Sequence, residues 1–517
     1  MRAPRSIGQF ADDDRGTILV LVAVFLGLFL GFVALSFDLG RLSVTNSDLQ
    51  SYADTVALAA AAELDGEADA ITRATAAAAE LVSDRQTFGT GDRTLSGTTD
   101  YTLTFLASLP NSDTVAATDT TTDPAAAVLV RVDVTPVTVN QGFAGAFRAL
   151  MGMQHVDPNT TASATAGFTQ MACDTTPLMF CIPSSTWSAD DPGVIGSMIN
   201  LRSGGQGAAW GPGDFGFIAP NSALIDPAGP CAGKSGAPLY RCLVGATGSI
   251  TGCVAQRGVD MEPGQKVGLA EPAFNTRFDI YTGAMQSSRN DPAYAAAPNV
   301  LKGLVRSATT FNAAQQCLQN TAETSPHTVA LPKDDCIAAG TCRVGDGTYD
   351  WTNYLTKNYG GAANDPRTLM TGPYPDVEPG SRYEMYLREI ELAYGTDPFS
   401  VGGASTSTPI IDTPHTDGTV WEGGLPVCST VPPTTSARRL IIAAGIDCAA
   451  NAIKGAATGV PVHEFVLMFL TEPVSNYGAT TPPTVDIFAE IVGRVDGDGA
   501  GSGGMGGVFR DLVQLYR

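Results

Sequence analysis

Positive charge is scarce in this chain. Its 517 residues hold 30 lysines and arginines against 52 aspartates and glutamates, for a net charge of −22. Nucleic-acid binding needs a basic footprint to displace counterions, and none is visible. The same deficit disfavours binding of the large domain to anionic lipid. Histidine is rarer still, with His155, His327, His415 and His463 alone. Aromatics reach only 8%, whereas Gly (57) and Pro (33) are abundant, which predicts a loop-rich body with modest helix beyond its first part. An apolar content of 44% still suffices for real cores and excludes a disordered chain. The length predicts two or three domains.

Catalytic signatures are missing as well. No G-x-x-x-x-G-K-[ST] occurs, and no G-x-S-x-G stands in usable context. All ten cysteines lie between Cys173 and Cys448, and none forms Cys-x-x-Cys, which disfavours zinc ribbons and thioredoxin-like chemistry. Their even number suits an oxidising compartment such as a bacterial periplasm, where they would pair. Ten cysteines allow on the order of nine hundred pairings, so connectivity stays open. His463-Glu464-Phe-Val-Leu467 begins like a zincin helix, but Leu467 stands where the second His belongs, and a strand position is expected. Asp412, His415 and Asp417 could surround a metal ion, but Pro414 and Gly418 favour a polar turn. Asp496-Gly-Asp498-Gly499 matches part of a calcium loop without the remaining ligands, and is expected to be a hairpin tip. No catalytic, cofactor-binding or metal-ligating residue is nominated, because no nucleophile, base and orienter can be assembled.

What the chain does have is an uncharged run from Gly16 to Phe37, bounded by Arg15 and Asp38. At about 1.5 Å per residue, a helix of this length crosses the roughly 30 Å hydrocarbon core once. Arg2, Arg5 and Arg15 precede the run, and only Arg41 follows before Arg73. This asymmetry places residues 1–15 in the cytoplasm and the bulk outside it, since Asp12 to Asp14 weigh little in orientation. Ala34-Leu35-Ser36 offers small residues for a signal peptidase, but the apolar stretch exceeds the usual h-region of about 7–15 residues, so a retained span is expected. Gly27 and Gly31 form a G-x-x-x-G that would let two such helices approach closely.

Beyond the span, Leu39 to Leu64 reads as a helix with Leu39, Leu42, Leu49, Ala53, Val56 and Ala60 on one face, extending or packing beside the anchor. Asp65-Gly66 is its stop, and a second Ala-rich helix is expected over about Glu67 to Asp84. The period then changes to two. Strands are predicted at Tyr101–Phe105, Val128–Val134 and Thr160–Phe168, with a short helix at Gly142–Gly152. Later helices are expected at Ala297–Phe311, Arg382–Ala393 and Leu440–Lys454. In the second of these, Ser381 serves as N-cap and Glu384 stands at the third position. Strands at Glu464–Leu470 and Val485–Val495 close the chain; the 95–170 strands and the 460–517 strands are expected to form one sheet beside the helices, with the cysteine-rich block inserted between them.

Arg15-Gly16, the apolar run, Asp38-Leu-Gly-Arg41 and Leu49-Gln50-x-x-Ala53-Asp54-x-x-Ala57-Leu58-Ala59 together resemble the N-terminal module of TadE/TadG-like proteins of the Flp (Tad) pilus assembly system. Cys173-x-x-x-Pro177-Leu-Met-Phe-Cys181, Gly211-Pro-Gly-Asp-Phe-Gly216, Arg277-Phe-Asp-Ile-Tyr281 and Val513-Gln-Leu-Tyr-Arg517 are similar to the texture of the same group. The resemblance implies a single-pass inner-membrane protein with a large periplasmic part. It also implies a non-enzymatic role in pilus biogenesis, minor pilin-like or envelope-anchoring, that supports adhesion and biofilm formation. No cofactor is implied. The implied partners are the membrane and other Tad assembly or pilin proteins, with self-association through the transmembrane helix. Processed members carry a Glu five residues after their Gly cleavage site. Here Thr, Ile, Leu, Val and Leu21 follow Gly16, so a retained span again fits.

The expected class is α+β. It comprises a cytoplasmic tail (1–15), a transmembrane helix (16–37), a helical Tad-like module (38–88), a β-rich segment (95–170), a cysteine-rich extracytoplasmic block (171–455) and a closing β segment (456–517). The competing expectation is a tethered adhesin whose cysteine-rich block recognises an external ligand.

Overall fold

In the computed structural model, the described residues are 17–65, 69–80, 83–88, 94–96, 99–110, 117–124, 126–150, 152–154, 156–172, 175–205, 207–220, 225–246, 254–255, 258–262, 267–306, 322–369, 374, 377–401, 408–412, 422–477, 484–495 and 509–516. The chain forms two compact units, residues 1–169 with 511–517, and residues 170–510.

The first unit is organised by one helix. α1 runs unbroken from Thr17 to Ala61, about 67 Å at the standard rise. Its apolar first half is bare, from Ile18 (50% exposed) to Phe37 (59%). Its second half is packed. Leu49, Tyr52, Ala53, Val56, Ala57, Ala60 and Ala61 are all buried, at the three-and-four spacing of one helix face. The small alanines let this helix lie close on its neighbours. α2 (Ala70–Glu80) adds Ala74 and Ala78 to the same core, and is shorter than the predicted Glu67–Asp84. Between the two helices, Arg73 gathers Glu63, Asp65 and Asp69 at 2.9, 2.5 and 3.0 Å.

The helices cover an antiparallel sheet. β1 (Tyr101–Leu106) pairs β2 (Leu129–Val134); the short helix α3 (Gly142–Leu150) follows; β3 (Ser163–Ala172) then pairs the other edge of β2. Period-two alternation sends Val130, Val132 and Val134 to the helices, while Arg131 and Asp133 pair on the opposite face at 2.7 Å.

The second unit is a closed six-stranded barrel. Its strands are β4 (Leu178–Cys181), β5 (Met198–Ser203), β6 (Asp214–Ile218), β7 (Leu440–Ile446), β8 (Glu464–Leu470) and β9 (Thr484–Arg494). The ring runs β4–β7–β8–β9–β5–β6 and returns to β4; β4–β7 and β5–β6 are parallel and the other pairs antiparallel. Each strand sends alternate residues inward, so Phe180, Leu201, Phe217, Ile441, Met468 and Ile487 share one core. The outward residues of β7 and β8 are covered too. Helix α4 (Arg382–Tyr394) lays Tyr383 and Tyr386 on Phe469, with ring centroids at 5.2 and 4.8 Å. Hence both strands are buried at all seven positions.

Helix α4 begins as predicted. Ser381 Oγ accepts the Glu384 N–H at 3.0 Å, and the Glu384 carboxylate takes the Gly380 N–H at 2.7 Å. Gly395 ends it in the left-handed conformation, at φ 63°. Two predicted helices do not form. Leu440–Lys454 is instead strand β7 followed by turns; its β-branched Ile441, Ile442 and Ile446 suit a doubly covered strand, which periodicity alone does not separate from a buried helix. Ala297–Gly303 has no regular structure and Leu304–Arg306 is a short strand, because Pro298 and Gly303 interrupt the apolar pattern. Residues 307–311 lie outside the described residues.

Of the late strands, only one shares a sheet with the early ones. β8 and β9 belong to the barrel, and only the last strand, β10 (Phe509–Leu515), pairs with β3. Disulfides join Cys181 to Cys448, Cys231 to Cys242 and Cys336 to Cys342, and Cys428 is bonded as well. The whole is α+β, with a long apolar N-terminal helix and a mostly β remainder.

Candidate functional site

The chemistry of the first unit concentrates where the bare half of α1 meets its packed half. Asp38 is the first acid after the apolar run, and it is buried (1% exposed). Its Oδ2 accepts the Ala144 N–H at 2.5 Å, inside the first turn of α3. A carboxylate there meets unsatisfied N–H groups and the positive end of the helix dipole. Asp157 Oδ1 takes the Gln141 N–H at 2.9 Å at the same helix end. Arg41, one turn along α1, donates to the Asn140 carbonyl at 3.4 Å and lies over Phe88, 5.6 Å from the ring centroid. Phe37 meets Phe143 with centroids 5.6 Å apart.

The other polar residues of this stretch also hold the unit together. Gln50 donates to Asp54 at 2.8 Å and to the Ser163 carbonyl of β3 at 3.2 Å. Asn46 accepts from Thr160 Oγ1 at 3.2 Å, and Asp48 from the Thr87 N–H at 3.0 Å. The apolar face of 49–61 is therefore not a free surface, since it is spent on the unit's own core. On the exposed half, Gly27 and Gly31 have nothing within 4 Å of where a Cβ would stand.

In the barrel unit the singled-out motifs are structural. His463 Nε2 lies 3.0 Å from the Trp187 carbonyl, which can only accept, so the imidazole donates. Glu464 is on β8, where it takes the Ala189 N–H at 2.9 Å and Ser188 Oγ at 3.1 Å. In Gly211–Gly216, Gly213 sits at φ +80°, where an added Cβ would meet the Asn200 carbonyl, and Asp214 pairs with Arg343 at 2.7 Å. In Arg277–Tyr281, Arg277 donates to the carbonyls of Arg438, Leu440 and Val244. Asp279 accepts the N–H groups of Val427, Cys428 and Ser429, each at 2.7 Å. Burial pushes its carboxyl above the usual range, and those three donors pull it back. His155, His415, Asp417 and the Asp496–Gly499 run lie outside the described residues. Among the described residues no group of three or more His, Cys, Asp or Glu could hold a metal ion.

Sequence reasoning missed a buried ionic rivet beside the barrel. Arg382 and Asp334 are fully buried, and Glu490 is 1% exposed. Arg382 pairs with Asp334 and, at 3.1 Å, with Glu490, while also donating to the carbonyls of Pro332 and Gly196. Glu490 further accepts the N–H groups of Arg382 and Tyr383 at 2.8 and 2.9 Å, and Asp334 accepts those of Met198 and Gly347 at 3.1 and 2.8 Å. Burial drives Glu490 upward in pKa, and Arg382 opposes this. The available signal was Glu490, a lone charge in the otherwise apolar stretch Ile487–Val492 of β9.

A family model described as “Putative Flp pilus-assembly TadE/G-like” matches residues 16–63. This segment holds the bare half of α1, the Asp38–Arg41 junction and the packed alanine face. No curated protein and no solved structure matches the chain.

Proposed function

We propose that this chain is a membrane-anchored, non-enzymatic component of Flp/Tad pilus assembly, minor pilin-like or envelope-anchoring, through which the assembly supports adhesion and biofilm formation. The observation that carries the reading is the coincidence of the 16–63 match with a rigid element, one helix whose bare half suits lipid and whose packed half holds a sheet. In this reading residues 1–15 stay in the cytoplasm, Gly16–Phe37 spans the inner membrane once, and the remainder stands in the periplasm. The arginine asymmetry around the run supports that orientation. The cysteine pairing of the barrel unit fits an oxidising compartment. The anchor couples to the first unit without a hinge, because α1 has no break at the membrane exit and Asp38 and Arg41 brace it there. Gly27 and Gly31 supply a face for close self-association in lipid.

Purification of the full chain from detergent-solubilised membranes tests this. Recovery of the secretion ATPase, platform or pilin subunits of a Tad system is expected, together with loss of pili on deleting the gene. Intact pili in the deletion strain, with surface attachment lost on removing residues 171–455, would replace this role with that of a tethered adhesin.

A further inference from the structure

We infer that α3 and the loop after it form a second membrane contact, a foot lying in the headgroup region of the leaflet where α1 leaves the bilayer. The inference rests on the reading of Gly16–Phe37 as a span. Phe143 and Phe147 are one helical turn apart, on one face of α3, and each is 47% exposed. Met153 (63%) and Val156 (81%) follow in the loop. Four large apolar side chains bared to water within fourteen residues mark a covered surface.

The occupant is set by position. Phe143 touches Phe37, the last residue of the apolar run, at 5.6 Å between centroids. Asp38 holds the α3 backbone at Ala144, and Arg41 holds the carbonyl of Asn140, two residues before the helix. The exposed face of α3 is therefore continuous with the lipid-facing side of α1 at its exit from the apolar core. An interfacial helix buries its apolar face by roughly 5–10 Å at the headgroup boundary, with basic side chains reaching outward. Arg148, the residue after Phe147 in the last turn of α3, is exposed to meet phosphates. The acidity of the chain as a whole does not oppose this contact, since α3 itself carries no acidic residue.

Tryptophan quenching in proteoliposomes tests the foot, with the full chain reconstituted in phosphatidylcholine brominated either near the headgroup or deep in the acyl chain. All four native tryptophans lie between residues 170 and 510, so the unsubstituted chain supplies the background. Phe147→Trp probes α3, and Phe29→Trp probes the span; both positions are exposed, so neither change disturbs a core. The expected result is loss of the Phe147→Trp emission with headgroup-proximal bromine and less with deep bromine, and the reverse order for Phe29→Trp. Quenching of Phe29→Trp alone overturns the foot and assigns the α3 face to water, to a second copy or to another protein. Absence of quenching at both positions removes the span, and the foot with it.

Discussion

Arg382→Ala is expected to destabilise the barrel unit by about 3–5 kcal/mol, the cost of stranding a buried charge. Two carboxylates, Asp334 and Glu490, would lose their shared cation in a site that water does not reach. The carbonyls of Pro332 and Gly196 would lose a donor as well. Arg382→Met fills the volume but leaves both acids uncompensated, so it rescues little. The deficit depends on pH with a definite sign. Burial already raises Glu490 in the folded state, and removing Arg382 raises it further. A carboxyl whose folded pKa exceeds its unfolded value binds its proton more tightly when native, so its contribution worsens as pH climbs from the unfolded to the folded value. The variant should thus differ most from the parent chain at neutral pH and least in acid, below the ordinary carboxylate range. Urea unfolding of the detergent-solubilised chain, followed by tryptophan fluorescence, reads this directly, because Trp187, Trp210 and Trp351 all stand in the barrel unit. An unchanged midpoint at neutral pH would show that the rivet contributes nothing net.

Replacing both Cys181 and Cys448 by Ala is expected to cost about 2–5 kcal/mol in the same measurement. The bond ties the end of β4 to the turn after β7, two parallel neighbours with Ile446 opposite Cys181. It links positions 267 residues apart, whereas Cys231–Cys242 and Cys336–Cys342 close loops of 11 and 6. Loop-closure entropy in the unfolded chain grows with the separation, so the first pair should outweigh either of the others. An effect of the Cys336/Cys342 double variant larger than that of Cys181/Cys448 would contradict this ranking.

The parts of the fold that local pattern governs were legible in the sequence. The apolar run, the alanine face of 49–61, the alternation in β2 and the Ser381 cap all follow from spacing and propensity, and each formed as expected. What local pattern does not carry was misread. β7 has apolar residues on both faces because the barrel interior and α4 cover it, and such a run carries no period to distinguish strand from helix. Barrel closure depends on β5 meeting both β6 and β9, the latter nearly three hundred residues away by the register Asp486 to Arg202, and no local signal reports it. Asp38 was legible as a boundary charge but not as the brace of α3, since its partner lies 106 residues on. The rivet was hidden for the same reason: Glu490 in its apolar strand hints at a buried charge, but its partners Arg382 and Asp334 come from distant stretches and read alone as surface charges.

In the proposed role, α1 stays in lipid and tethers the chain to the membrane. Alkaline extraction of membranes carrying the full chain, followed by intact-mass measurement, tests it most directly. The chain is expected to remain in the membrane pellet and to keep the residues of the apolar run. A soluble product whose mass shows cleavage after Ser36 would contradict it.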